Sequence, residues 1–343
     1  MSDPLVVAPN FKRRLSGVTT TVLRLVPVQA RMIAIAATGP GLPPDVPRIA
    51  LSRAIFMPRD RWRVWHSRRR NEMLVGLILR HLLRRRYRLL FTWPEPRQLA
   101  RFSHWLIRHQ DAVVATSPQA ASYLQRPAQI IMHGVDTQIF QPVSDRAALR
   151  RALGLDPDAV LIGCFGRIRA QKGVDLLVQA GLELLPDRPR VQILMTGRIT
   201  AGHAQFADDL KARIAAAGLS GRIRFLGELP WDRLVQHYQA LDLFAAPARW
   251  EGFGLTPLEA MACAVPAIGS RVGAFETLIR DGVTGSLIPA DDGKALSAAL
   301  ARWLDDDEGR RAAGRAARAH VVENHAIEGE AAALVALYHQ MLA

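Results

Sequence analysis

The sequence predicts an α/β protein built on parallel sheets in two domains, and three observations carry that prediction. At 343 residues the chain exceeds what one ordinary core organises, which suggests about two domains. Hydrophobic residues make up 49% of it, enough for substantial cores. From residue 160 onward, short apolar runs alternate with helical runs six times over, the pattern of a parallel sheet wrapped by helices on both faces.

In the first half, Leu5–Ala8 reads as a buried strand, followed by the loop Pro9-Asn10-Phe11-Lys12-Arg13-Arg14-Leu15-Ser16-Gly17 and a helix from Val18 to Val26. Strand, glycine loop and helix can hold a phosphate; with one glycine the signal is weak, and an ordinary turn is the better reading of the loop alone. Met32–Ala37 and Arg48–Leu51 read as strands around a Gly/Pro-rich turn at 39–47. Residues 59–88 are the most basic stretch. Arg68, Arg69 and Arg70 precede a helix from Asn71 to Leu83 that ends in Arg84-Arg85-Arg86. That helix either packs on a sheet with solvated arginine ends or lies with its basic ends on a membrane surface. Strand Leu89–Thr92 runs into Trp93, a helix spans about 97–109, strand Ala112–Thr116 meets a Ser117-Pro118 helix start, and Ile130–Met132 is the last strand before His133-Gly134-Val135-Asp136. Residues 141–158 form a linker with a short helix.

In the second half, strand Val160–Phe165 meets the loop Gly166-Arg167-Ile168-Arg169-Ala170-Gln171 and a helix beginning near Lys172-Gly173. Strands Val191–Thr196, Ile223–Phe225, Leu243–Ala245, Ala267-Ile268 and Ser286–Ile288 follow, with helices over about 204–217, from Pro230, after the run at 249–260, near 273–280 and over 292–304. Two Ala-rich helices, about 307–322 and 327–342, close the chain. Ligands of such sheets sit beyond the carboxyl ends of the strands, where Arg167, Gly197 and Glu251 fall.

Charge divides the chain. Residues 1–150 hold 24 Lys+Arg against 8 Asp+Glu, a net of +16, and residues 151–343 hold 21 against 23, a net of −2. The first half therefore suits an anionic partner: nucleic acid, an acidic membrane surface or a phosphorylated lipid. Nucleic-acid binding is the weaker fit, because the arginines cluster near an apolar helix without aromatic stacking runs or a reading motif. Cys164 and Cys263, isolated among apolar neighbours, read as buried thiols rather than metal ligands. The start, Met1-Ser2-Asp3-Pro4, lacks a basic region leading into an apolar run, and no window reaches the roughly 18 apolar residues of a membrane span. A soluble, cytoplasmic protein is expected.

Two clusters bear on chemistry. Lys172, one of only four lysines, stands at the start of a helix, where the dipole disfavours a cation, with Arg167 in the same loop. A bound diphosphate would reconcile the three; the alternative is a pair of solvated charges. The loop lacks the Gly-Lys-Ser/Thr ending of an ATPase, so no hydroxyl is placed for magnesium. In Arg249-Trp250-Glu251-Gly252-Phe253-Gly254-Leu255-Thr256-Pro257-Leu258-Glu259-Ala260, Thr256 reads as an N-cap, Pro257 as the first helical residue and Glu259 as the third, a capping box that needs no ligand. The same stretch offers free backbone N–H groups to an anion. Among the histidines, His104, His109 and His237 read as surface or packing residues, and His133 as a loop residue able to approach a ligand.

Together, Gly166-Arg167-x4-Lys172-Gly173, Glu251-Gly252-Phe253-Gly254-Leu255 with Glu259-Ala260-Met261-Ala262, and Met132-His133-Gly134-Val135-Asp136-x3-Phe140-x-Pro142 resemble the retaining family-4 glycosyltransferases in spacing and order along essentially the whole chain. The resemblance implies a GT-B fold: two Rossmann-like domains with parallel sheets facing across a cleft, an acceptor-binding domain over 1–142, a nucleotide-sugar domain over 143–325, and a helix over 326–343 crossing back to the first. It also implies that Arg167 and Lys172 hold the donor diphosphate and the leaving nucleotide diphosphate. Glu251 would contact the donor sugar, Glu259 the ribose, and backbone N–H groups near Gly254–Thr256, Leu255 included, the phosphates, with Gly252 and Phe253 also among the donor-binding residues. Gly17 and Gly197 would lie near the donor, and strand 223–226 with Gly227-Glu228-Leu229 near the base. Such enzymes generally need no metal or other cofactor, which agrees with the missing Asp-x-Asp motif. Trp93 stands where many relatives carry a histidine against the donor sugar, so no catalytic histidine is assigned. The basic first half, the loop through Gly17 and the run at 68–70 further resemble lipopolysaccharide-core mannosyltransferases. That implies GDP-mannose as donor, an anionic Kdo–lipid A acceptor, no nucleic-acid partner, and work at the inner face of the cytoplasmic membrane. A UDP-sugar used for another envelope glycan is the alternative within the family.

Overall fold

The computed structural model describes residues 3–12, 17–95 and 97–343, and the chain divides into two units. Unit 1 comprises Met1–Gly134 with Ile327–Ala343, and unit 2 comprises Val135–Ala326. The division falls at 134/135, eight residues before the expected 142/143, because Val135 already pairs with Ala326 in unit 2.

Unit 1 is a six-stranded parallel sheet in the order β2-β1-β3-β4-β5-β6. Its strands are β1 (Val6–Pro9), β2 (Ile35–Thr38), β3 (Arg63–Ser67), β4 (Tyr87–Trp93), β5 (Ala112–Ala115) and β6 (Gln129–Ile130). Alternation along the strands serves two cores. Val6, Ala8, Val64, Leu90 and Val114 pack on α1 (Gly17–Gln29) and on α14 (Ile327–Leu342). Val7, Trp65, Leu89, Phe91 and Val113 pack on α2 (Leu51–Phe56), α3 (Arg70–Leu77) and α4 (Arg101–Arg108). A short helix, α5 (Pro118–Ala121), starts at the Ser117 cap, whose side chain accepts the Ala120 N–H at 3.0 Å.

Unit 2 repeats the plan in the order β12-β11-β10-β7-β8-β9. Its strands are β7 (Val160–Phe165), β8 (Val191–Thr196), β9 (Ile223–Phe225), β10 (Leu243–Ala246), β11 (Ala267–Ser270) and β12 (Gly285–Ile288). Its helices are α6 (Arg146–Ala152), α7 (Val174–Leu184), α8 (Ala204–Ala216), α9 (Trp231–Ala240), α10 (Leu255–Ala262), α11 (Phe275–Leu278), α12 (Gly293–Asp305) and α13 (Asp307–Asn324). One core joins Ile162, Cys164, Ile193 and Met195 to α7, α8 and α12. Across the sheet, Phe165, Tyr238 and Phe244 stack edge to face or tilted within 5.7 Å of one another.

Three features depart from the sequence-based expectation. β3 lies in the middle of its sheet yet was not anticipated, because Arg63 and His66 obscure its apolar residues. Both are buried with partners: the Arg63 guanidinium donates to Pro58 O (2.7 Å) and Asp60 Oδ1 (3.0 Å), and His66 meets Tyr338 Oη (2.6 Å) and Thr92 Oγ1 (2.7 Å). The expected strand Arg48–Leu51 is reduced to one bridge, Ala37 with Arg48, after which the chain enters α2. The helix expected from Asn71 to Leu83 is α3 continued by a π-helical turn, Ile78–Leu82. Nor are its arginine ends uniformly solvated, since Arg68 is buried and Arg69 nearly so.

Several buried histidines make stability depend on pH. Burial holds His66 well below the ordinary value of 6.5, with the Arg68 charge adding to the effect. Burial likewise lowers His237 and His320, and takes His325 down to about 4, helped by His320 and Arg280. Each binds a proton more readily when unfolded, so this contribution to stability is complete above the unfolded value near 6.5 and is lost as pH falls through the folded values. Urea denaturation should show lower stability at pH 5 than at pH 7.5, by up to about 1.4 kcal/mol per pH unit for each histidine. A flat profile would mean that these rings take up protons without unfolding.

Candidate functional site

The candidate site is built on the carboxyl ends of β7, β8 and β10 in unit 2. β7 leaves the sheet through Gly166 into Arg167-Ile168-Arg169, a single 3₁₀ turn over Ala170–Lys172, and α7. At the end of β8, Gly197 has φ +141, and a Cβ there would sit 1.8 Å from Gly166 O. Only glycine lets these two strand ends approach so closely. The Gly197 N–H donates to Gly227 O at 2.8 Å, as does the Thr196 hydroxyl at 2.6 Å, which ties the Gly227-Glu228-Leu229 loop beside it.

Arg249, after β10, fastens the site together. Its guanidinium forks onto both oxygens of Asp175 in the first turn of α7 (2.8 Å each) and reaches Asp291 Oδ1 at 2.6 Å. The bonds to Asp175 raise its pKa above the usual guanidinium value, outweighing the burial that lowers it. Its own N–H donates to Gln171 O at 2.9 Å, so the 170–172 turn and the 249–251 segment are joined by backbone as well as side chain.

That joining sets the charged contact at the centre of the site: Lys172 Nζ is ion-paired with Glu251 Oε2. The other Glu251 oxygen accepts the Gly252 N–H at 3.0 Å. Lys172 therefore already has a counter-ion in the protein, contrary to the expectation that an outside anion alone would balance it. Arg167 is exposed, and among the described residues it has no ion-pair partner. Arg169, which the sequence reading did not single out, is partly buried with its Nε unbonded among the described residues. Burial lowers its pKa, with Arg167 adding to the drop and Glu251 opposing it, which places three cations and one carboxylate around a single strand end. Lys172 also lies within electrostatic reach of Cys164, whose thiol burial pushes up to about 12.

The helix after Glu251 starts earlier than its sequence suggests. α10 opens at Leu255 behind Gly254, so Thr256 is the second helical residue, Pro257 the third and Glu259 the fifth. The expected capping box does not form. Gly254 has φ +96, and a Cβ there would lie 2.0 Å from the Phe275 ring. A glycine that turns left-handed under an aromatic ring brings the chain into the helix two residues before Thr256 could cap it. Pro257 is tolerated because first-turn N–H groups have no acceptor within the helix. Those at Leu255 and Thr256 are thus directed outward, with Phe253 buried beneath them.

Glu259 lies one turn further in and is 5% exposed. Its Oε2 accepts the Tyr238 hydroxyl at 2.8 Å, and Tyr238 is fixed by Phe140, Phe165 and Phe244. Neither Tyr238 nor Arg249 was legible as a site component, because each acts through a partner distant in the chain. The structure thus gathers Lys172, Glu251, Gly252 and the first turn of α10, with Arg167, Gly197 and Glu259 on the same strand-end side of unit 2. Gly17 begins α1 in unit 1, and residues 13–16 of the loop before it lie outside the described residues. His133 is taken up structurally: its Nδ1 lies 2.8 Å from Glu330 Oε1, while the Gly134 N–H donates to Glu330 Oε2. Among the described residues, no group of three or more His, Cys, Asp or Glu could hold a metal ion.

Two parallel α/β units, one carrying cations and helix amides at its strand ends, have the fold of the GT-B glycosyltransferases. Superposition agrees: the crystal structure of Anabaena Alr3699/HepE in complex with UDP matches with a TM-score of 0.84 over 98% of this chain and 99% of that one, at 18% identity. Residues 145–320 match the family profile of glycosyl transferases group 1. The chain is 48% identical to the lipopolysaccharide core biosynthesis mannosyltransferase LpcC of Rhizobium leguminosarum bv. viciae, over 99% of this chain and 97% of the relative. It is equally close to the LpsB mannosyltransferase of the same description from Rhizobium meliloti (strain 1021), over 99% and 98%. The chain belongs to the glycosyl transferases group 1 family.

The geometry of Gly254 sets a test. Gly254→Ala should cost about 1 to 3 kcal/mol of stability through strain and the clash with Phe275, and should weaken nucleotide binding. Gly202→Ala, where a Cβ meets nothing within 4 Å, should change neither. Equilibrium denaturation and calorimetric titration with nucleotide would read both.

Proposed function

We propose that this glycosyltransferase moves a mannosyl residue from GDP-mannose, with retention at the anomeric carbon, onto an anionic lipid-linked saccharide of the lipopolysaccharide core of the Kdo–lipid A kind. The observation that carries this reading is the near-full-length relation to two proteins described as core mannosyltransferases, joined to a chain whose excess cations belong to unit 1 and not to unit 2. Unit 1 holds 22 Lys+Arg against 8 Asp+Glu, a net of +14, whereas unit 2 holds 23 of each.

In this reading the Lys172–Glu251 pair holds the place of the donor. When the diphosphate arrives, Lys172 and the exposed Arg167 turn to it together with the first-turn amides of α10, and Glu251 is released to accept hydroxyls of the sugar. Glu259, fixed by Tyr238, accepts from the ribose. The bond between the anomeric carbon and the phosphate oxygen breaks as the acceptor oxygen forms its own bond on the same face. The departing phosphate takes the acceptor's proton. Cations and amides stabilise the charge that develops on the leaving group, so the reading requires neither a metal nor another cofactor.

An exposed apolar stripe on unit 1 supports work at a membrane surface. Leu74, Ile78 and Leu82, spaced four apart, face outward from α3 and its π turn, with Leu82 74% exposed. On the adjoining α4, Phe102 and Trp105 are exposed and stacked 5.9 Å apart. With Arg84, Arg85 and Arg86 nearby in sequence, the stripe suits the acidic cytoplasmic face of the inner membrane. No described helix is long and apolar enough to cross a membrane.

GDP should raise the melting temperature more than UDP or ADP does, with about 2.7 kcal/mol of stabilisation at a concentration one hundred times Kd. Preference for UDP would replace mannose from GDP-mannose with a UDP-sugar. Lys172→Ala and Glu259→Ala should each lower transfer by about 100-fold or more while the protein stays folded, and full activity in either would sink the site assignment.

A further inference from the structure

At the carboxyl edge of the unit 1 sheet, a buried cation has no counter-ion among the described residues. Arg68 follows directly on β3 and is 5% exposed, yet its Nη2 makes no hydrogen bond and no carboxylate pairs with it among the described residues. The guanidinium is held by a long bond from Nη1 to His66 O at 3.4 Å and by a hydrogen bond to the Tyr338 hydroxyl. The neighbouring acids are committed elsewhere. Glu72 gives Oε2 to the Arg68 backbone N–H and Oε1 to the Arg69 guanidinium, both at 2.8 Å. Glu330 is taken by His133 and Gly134. Arg69, by contrast, is fully occupied, since it also reaches Asn10 Oδ1 and Thr19 Oγ1 at 2.8 Å each.

Arg68 depresses the pKa of His66 after burial has done so, and it opposes the rise of the Tyr338 hydroxyl, which burial pushes up to about 12. Both groups therefore lie within its field, and neither supplies negative charge. Thr116 Oγ1, which by alternation from Ala115 lies on the same face as His66 and Tyr338, is buried and unbonded among the described residues, whereas Ser67 and Trp93, in register with Phe91 and Ala115, belong to the opposite face. Register sets β3, β4 and β5 side by side, so the strand ends that carry Arg68 and Thr116 lie roughly 10 Å apart. Interiors seldom leave such polar atoms unmatched. Water can satisfy a hydroxyl or an indole N–H, but it does not neutralise a buried guanidinium.

We propose that this edge of unit 1 is a subsite for an anionic group, a carboxylate or a phosphate monoester of the acceptor, with Arg68 as its counter-ion and Thr116 as a flanking donor. Assigning the anion to the acceptor rests on the transfer reaction proposed above; the binding itself does not. The guanidinium is loosely held and carries a fork suited to either anion. It turns toward the strand-end surface when the ligand enters. The subsite selects acceptors by charge and is built from residues of unit 1.

The full-length chain should be titrated calorimetrically with free Kdo, with its methyl ester and with glucosamine 4-phosphate, each up to 10 mM. Loss of binding on esterification identifies a carboxylate, and binding of the phosphate sugar identifies a phosphate. Arg68→Met should weaken the bound probe by about tenfold or more, and Arg68→Lys should keep part of the affinity. The melting temperature of Arg68→Met should stay level or rise, because no ion pair is lost. Undiminished probe binding by Arg68→Met, a melting temperature that drops, or no probe bound by the wild type would overturn the subsite. If Arg68-dependent binding is found but the protein neither binds nor turns over any nucleotide-sugar, the subsite stands and the proposed transfer fails.

Discussion

Every strand in both sheets runs parallel to its neighbours, and that constraint governs the rest of the molecule. It sends all the loops that leave strand carboxyl ends to one edge of each sheet, where backbone groups have finished their ladder bonds and side chains are free to meet a ligand. In unit 2 this edge holds Lys172, Glu251 and the start of α10; in unit 1 it holds Arg68, Trp93 and Thr116. Sequence separation becomes irrelevant there. Arg249 and Asp175 are 74 residues apart, yet they form the bidentate pair that aligns the loop after β7 with the one after β10.

Unit 2 was largely legible from sequence because its strands are uninterrupted apolar runs and its loops are punctuated by glycine. Unit 1 was less so, for a physical reason: several of its interior positions are polar and become buried only because partners arrive from far along the chain. β3 is the clearest case, with His66 satisfied by a tyrosine 272 residues away. The helix after Glu251 shows a different failure. Thr256, Pro257 and Glu259 form a valid capping pattern, but Gly254 under the Phe275 ring overrides it. Local preference is worth about 1 kcal/mol at a cap, and tertiary packing readily exceeds that. The site residues that could be read were those whose charge was conspicuous in their own loop, Arg167 and Lys172. Those that position others, Tyr238 and Arg249, gave no local signal.

The two units also separate charge in a way that suits a two-substrate enzyme. All the excess cation belongs to unit 1, while unit 2 is balanced and concentrates its few relevant charges at one strand end. A balanced unit can hold a nucleotide-sugar with short-range contacts, and a basic one attracts a large anionic acceptor over a longer range, within a Debye length of its surface. Arg68, buried and without a counter-ion among the described residues, fits this division, since a buried charge that no carboxylate neutralises costs stability.

The last helix carries a consequence for how the chain reaches this state. α14 lies 193 residues beyond the end of Gly134, yet it covers one face of the first sheet and supplies the Tyr338 hydroxyl that His66 and Gln29 require. As the polypeptide emerges from the ribosome, the first sheet therefore has an open apolar face and unmet buried polar groups until the final turns are made. Unit 2, whose segments are contiguous, can complete its core earlier. Unit 1, begun first, is thus the unit whose segments are complete last, which leaves its apolar face open in the interval.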